Sequence, residues 1–275
     1  MSRSPASNSA AFLVLSVVVS SLAAGWAAPA LAQRINEDAL NTLHDRCVAF
    51  ARQHPKEGLE KAKQWREQGG GFWADHCIAM ALFILKDYAA AAKRFEELAA
   101  AMMGMPAEQR AITLDQAGQS WLDAGEGARA KAAFDAAIAF KGDDAELFID
   151  RAQAFAALKQ YWDAIDDLNR AIDIAPKNAE AYIYRASAYR AVDALDLALE
   201  DIERGLAITP NNALGLLERG NVRRLKGDAA GARQDWQSVT KLAPDTPAAK
   251  AAKLNLAKLG KADKEKSGGS SEKTQ

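Results

Sequence analysis

The sequence predicts an all-α protein, a solenoid of antiparallel helix pairs stacked in about five to six units with a capping helix at the C-terminal end. Three observations carry that expectation. Pro176, Pro210 and Pro244 recur at intervals of 34 residues. Arg151, Arg185 and Arg219 keep the same interval, and so do Ala164, Ala198 and Ala232. Gly and Pro are few, at 18 and 8 of 275 residues, as an all-helical chain requires. A fixed period of about 34 residues marks a helix–turn–helix array, in which each unit packs only on its neighbours.

Residues 1–32 read as a secretory signal peptide. Arg3 is the only charge ahead of the small, apolar stretch Ala11 to Ala28, and Ala30-Leu31-Ala32 is an A-x-A cleavage site followed by Gln33. A retained membrane anchor is the alternative, because the apolar run reaches the roughly 18 residues a span needs. Gly25, Pro29 and the cleavage site favour removal. The expected location is therefore periplasmic or secreted, with no membrane insertion after cleavage.

Residues 33–71 form a divergent first helical repeat, with its turn at His54-Pro55. Residues 72–110 are a degenerate repeat with a longer exit loop at Met102 to Pro106. The segment Asp45-Arg46-Cys47-Val48-Ala49 echoes Asp75-His76-Cys77-Ile78-Ala79, so the two cysteines hold equivalent places in adjacent units. A Cys47–Cys77 disulfide and a pair of buried thiols are both open. Packed helix axes lie about 8–10 Å apart, so the bond forms only if the two residues face each other.

Four units are in strict phase: 111–144, 145–178, 179–212 and 213–246. The first helix of each carries a small residue (Gly118, Ala152, Ala186, Gly220) and, three residues on, a larger one (Trp121, Phe155, Tyr189, Arg223). The second helix carries Ala130, Ala164, Ala198 and Ala232, then Phe134, Leu168, Ile202 and Trp236, then Ala137, Ala171, Gly205 and Val239. Spacing of four and three puts these on one face. The last column is Gly142, Pro176, Pro210 and Pro244, which stops the helix. Residues 247–259 are expected to be an amphipathic cap with Leu254, Leu256 and Leu259, and 260–275 a tail without structure.

This small-x2-aromatic, Ala-x3-large-x2-small, Pro pattern resembles the tetratricopeptide-repeat family over 111–246. The resemblance implies a right-handed α-solenoid whose first helices line a concave wall. It also implies a non-enzymatic function, the binding of a protein or peptide along that wall, with no cofactor and no metal.

On the implied wall the column after the small residue is polar: Gln119, Gln153, Ser187 and Asn221. Such a column would bond a ligand's backbone. Arg190 and Arg224 lie one turn later, suited to a carboxylate, and Ile149 and Ile183 offer apolar contact. Arg151, Arg185 and Arg219 are matched by Asp167, Asp201 and Asp235, while Ala117 and Ala133 occupy both columns in the unit 111–144. That joint loss points to an Arg–Asp pair between the helices of each unit. It braces the unit, or else forms an arginine ladder for a ligand.

Other functions find little support. A net charge of −1, from 35 basic and 36 acidic residues, gives no footprint for nucleic acid. His44, His54 and His76 lack chelate spacing with the cysteines. No phosphate-binding, nucleophile-elbow or zinc-protease motif occurs. A self-assembling envelope protein and an accessory subunit of an envelope enzyme complex are the alternatives to an adaptor.

Overall fold

The structure is a computed structural model and describes residues 27–268, with side chains described for 39–261. Residues 1–26 of the expected leader and 269–275 of the expected tail lie outside the described residues. Within them the chain runs α1 (Ala27–Gln53), α2 (Pro55–Trp65), a π-helical segment (Arg66–Gly70), α3 (Gly71–Ile84), α4 (Tyr88–Ala101), α5 (Ala107–Asp123) and α6 (Gly127–Phe140). It continues through α7 (Ala145–Ala157), α8 (Tyr161–Ile174), α9 (Ala179–Ala191), α10 (Leu195–Ile208), α11 (Ala213–Leu225), α12 (Ala229–Leu242) and α13 (Pro247–Gly268). Consecutive helices pack on each other throughout, which makes the fold an α-solenoid of helix pairs.

Two recurring devices shape each pair. The turn from first to second helix passes through a left-handed residue: Lys86, Gly125, Lys159, Asp193 and Gly227 all have φ between 61 and 89°. The turn into the next pair is capped. Asp144, Asn178 and Asn212 each accept a hydrogen bond from a backbone N–H in the first turn of the helix that follows, filling donors a helix start otherwise leaves open.

The core is a row of second-helix side chains set into the first helices. Phe134, Leu168, Ile202 and Trp236 are all at most 1% exposed. Their opposite numbers compensate for their size. A Cβ on Gly118 would come within 2.4 Å of Phe134, and one on Gly220 within 2.5 Å of Trp236. Where the second helix offers Leu168 or Ile202 instead, the small residue is alanine.

The Arg–Asp columns form two-sided braces. Arg151 donates twice to Asp167, both at 2.7 Å, and Arg185 twice to Asp201, at 2.7 and 2.8 Å. Arg219 reaches Asp235 at 2.8 Å. Each guanidinium also turns its remaining nitrogen to the preceding pair: Arg151 to Asp135 at 2.8 Å, Arg185 to Asn169 at 2.7 Å, Arg219 to Glu203 at 3.4 Å. The brace thus ties a pair together and ties it to its predecessor. In the last pair Arg223 stands where the others have an aromatic residue, and it joins the same cluster, 2.9 Å from Asp235.

At the N-terminal end Cys47 on α1 and Cys77 on α3 are joined by a disulfide, their Cα atoms 6.2 Å apart. The two cysteines face each other across the helix contact, which is what brings equivalent positions within bonding reach.

At the other end α13 extends to Gly268, nine residues past the expected limit. It occupies the place of a first helix without a second. Leu256 and Leu259 pack on the last core, but Leu254 does not; it is 64% exposed. Leu254 sits 34 residues after Gly220, in the column that faces a second helix, and no second helix follows it among the described residues.

Candidate functional site: the inner wall

The first helices form the inner wall. α5, α7, α9, α11 and α13 approach one another in succession more closely than the second helices do, so the stack curves toward the first-helix side.

On that wall the expected residues fall into two groups. Ile149 and Ile183 offer no surface: they are 1% and 0% exposed. Ile183 packs beneath Gly205 and Gly215, and Ile149 lies in the core around α7 and α8. The expectation of apolar groove contacts from this column is therefore corrected. Its period also fits a core face, and burial decides for the core.

The polar column is half-buried and already engaged. The Gln153 amide donates to the Asp150 carboxyl at 3.1 Å, and Gln119 favours that carboxyl's charged form. Arg190 donates to Glu218 at 2.6 Å and to Ser187 at 3.4 Å. The Asn221 amide donates to Glu218 at 3.2 Å and its oxygen accepts from Asn255 of α13 at 2.9 Å. Arg224 is exposed. The column does not stand open as a ladder of free donors. It orients two carboxyl groups, Asp150 and Glu218, which are 68 residues apart in a single column whose middle member is Tyr184.

Sequence reasoning missed that column. Its signal was available, since positions 150, 184 and 218 keep the 34-residue period. Asp115 was missed for a different reason. It occupies the place of Ile149 and Ile183 one unit earlier, where a carboxyl has no periodic precedent.

The carboxyls of Asp115 on α5 and Asp150 on α7 act directly on each other. Burial first, and then the neighbouring carboxyls, push Asp115 up to about 6 and Asp150 up to about 8. Two close carboxyls cannot readily both ionise, so the pair holds a proton near neutral pH. Tyr184 is raised too, by burial and then by Glu180, Asp150 and Glu146.

The wall carries two clefts that bear on binding. One, of about 360 Å³, lies between α7 and α9 with α8 as its floor, and is bordered by Gln153, Tyr161, Tyr184, Ser187 and Arg190. The other, of about 390 Å³, lies between α1, α3 and α5 and includes His44, Arg52, His76 and Gln116. There His44 Nε2 and His76 Nδ1 are 2.9 Å apart, and His76 Nε2 is 2.9 Å from the Gln116 oxygen. Burial chiefly lowers His76 to about 4, so it is neutral at physiological pH.

No family model and no curated relative matches the chain. Solved structures do. Against MamA 41-end from Desulfovibrio magneticus RS-1 the TM-score is 0.51 at 20% identity, covering 68% of this chain and 97% of that one. A crystal structure of MamA protein gives 0.50 at 20% identity, covering 63% and 92%. The first TPR of Spaghetti (RPAP3), bound to the HSP90 peptide SRMEEVD, gives 0.42 at 26% identity over 44% of this chain and 95% of that one. The fold is the tetratricopeptide-repeat solenoid. Among the described residues, no helix is long and apolar enough to cross a membrane.

Proposed function

We propose that the protein is a non-catalytic scaffold that binds a segment of a partner protein along its inner wall, in an oxidising compartment outside the cytoplasm. The observation that carries the binding reading is the cleft between α7 and α9. It opens at the middle of the wall and brings Gln153, Ser187 and Arg190 to one rim. The solenoid supplies a long, preformed surface for such a segment. The N-terminal leader-like segment and the Cys47–Cys77 bond support the compartment, because disulfides persist where the surroundings are oxidising.

Site-specific photocrosslinking tests the surface. A benzophenone side chain is placed at Ser187 on the inner wall or at Arg170, exposed on α8. Crosslinks to one partner from position 187 and not from 170 support the reading. Equal crosslinking from both positions, or none from 187, removes it. Cell fractionation of the tagged full chain tests the compartment separately.

A further inference from the structure

We propose that the cleft between α7 and α9 seats one apolar side chain of a partner segment whose neighbouring residues are lysine or arginine, the cation lying against Asp150, Glu146 and Glu180. This rests on the inner-wall reading above and adds the chemistry of the occupant.

The floor dictates the apolar part. Ala152, Ala156, Ala164, Leu168, Ala188 and Ala191 line it with methyl groups. At about 360 Å³ it lies at the small end of binding pockets, which run from about 300 to 1,000 Å³. It is sized for a side chain and its immediate backbone. Tyr161 and Tyr184 also line it, each adding a ring surface and a polar hydroxyl.

The charge comes from which ions around the cleft are already neutralised. Arg190 is spent on buried Glu218, at 2.6 Å. Arg151 and Arg185 are spent on Asp167 and Asp201 behind the wall. Glu146 accepts from the neutral amide of Asn178 at 2.8 Å, and Glu180 is exposed. These carboxyls sit toward the starts of α7 and α9, next to the cleft: Asp150 is bonded to the lining residue Gln153, and Glu180, Asp150 and Glu146 all act to keep the proton on the lining residue Tyr184. A cation placed there meets several carboxyl groups.

The Asp115–Asp150 pair gives the contact a pH signature. Asp150 is faced by Asp115 from α5, by Tyr184 from α9, and by Glu146 of its own helix. Asp144, at the cap of α7, acts on Asp115. Of the charged groups on α6 and α8, Asp135 and Asp167 are turned to Arg151 instead. An arriving cation stabilises the doubly ionised pair, so the shared proton leaves on binding. Affinity therefore rises with pH through the range in which the pair still holds that proton.

Three fluorescein-labelled Gly-Ser dodecapeptides test this, with Lys-Leu-Lys, Glu-Leu-Glu or Lys-Ser-Lys at the centre, titrated against the full chain by polarisation at low salt. Lys-Leu-Lys is expected to bind at least tenfold more tightly than either of the others. Its affinity should rise several-fold from pH 6.5 to 8.5 in the wild type and stay flat in Asp150→Asn. Ala156→Phe and Ala191→Phe fill the cleft from two positions. Ala191 is exposed, so at least that variant should keep the fold by circular dichroism, and Lys-Leu-Lys should then bind no better than Lys-Ser-Lys. Equal binding of Lys-Leu-Lys and Glu-Leu-Glu, or no binding of any peptide, overturns the inference. If Glu-Leu-Glu is preferred and the filled cleft abolishes that preference, the charge assignment falls while the inner-wall reading stands. Insensitivity of every peptide to both fillings overturns the cleft, and crosslinking from position 187 decides the wall independently.

Discussion

Single side chains set the fit between helices, and Gly220 shows how tightly. A methyl group there would lie 2.5 Å from the Trp236 ring nitrogen. Gly220→Ala improves helix propensity by about 1 kcal/mol, yet overpacking a rigid core costs roughly 1–3 kcal/mol. We expect net destabilisation in urea melts, relieved when Trp236→Leu is added. The buried pair makes a second prediction at this scale. The folded-state pKa values of Asp115 and Asp150 lie above the ordinary carboxylate value. Their contribution is complete below the ordinary carboxylate value and is lost as pH rises from there through about 6 and about 8. His76 works on the other side. Its folded value of about 4 lies below 6.5, so its contribution is complete above 6.5 and drains away as pH falls toward 4. Two raised carboxyls outweigh one lowered imidazole, so the melting temperature should fall as pH rises from 5 to 8, and Asp150→Asn should shrink that fall.

At the scale of the element, the turns between paired helices are the clearest target. Lys159 and Asp193 hold φ of 62 and 61°, a region that costs an L-residue roughly 1–2 kcal/mol. Gly125 and Gly227 solve the same turn without that cost. Lys159→Gly should therefore stabilise by about 0.5–1 kcal/mol despite the added freedom of the unfolded chain, read as a higher denaturation midpoint. The disulfide closes a loop with a sequence separation of 30, for which chain entropy gives about 3–4 kcal/mol. Cys47→Ser with Cys77→Ser should loosen α1 and α2 on hydrogen exchange and leave α7 to α12 protected.

Much of this was legible before any coordinates. The period fixed the helix pairs, and the joint loss at Ala117 and Ala133 located the Arg–Asp braces as contacts. The wall was harder. Ile149 and Ile183 share a helix with the groove residues, and a single column cannot tell an inward face from a core face when both repeat every 34 residues. Asp115 breaks the period, so pattern alone had nothing to compare it with. The third arm of each arginine was visible in the column Asp135, Asn169 and Glu203, but only the fold shows that it crosses to a neighbouring pair.

For the whole molecule, the braces that cross from pair to pair bear on cooperativity. In a solenoid, stability is a sum of pair terms and interface terms. Arg185 serves both through Asp201 and Asn169. With Asp201 only 5% exposed at its side chain, Arg185→Ala strands a buried carboxylate, at about 3–5 kcal/mol. We expect its urea transition to broaden or split, where a mutation confined to one pair only shifts the midpoint. The matched sizes at the helix contacts have a consequence for how such an array can be rearranged. Gly118 and Gly220 belong with aromatic partners, Ala152 and Ala186 with aliphatic ones. Two dialects therefore run through one chain. A recombination event that joins a first helix of one dialect to a second helix of the other leaves a clash or a void, whereas a cut between pairs keeps each match intact. The hairpin, not the single helix, is the smallest piece of this array that can be copied, deleted or transplanted.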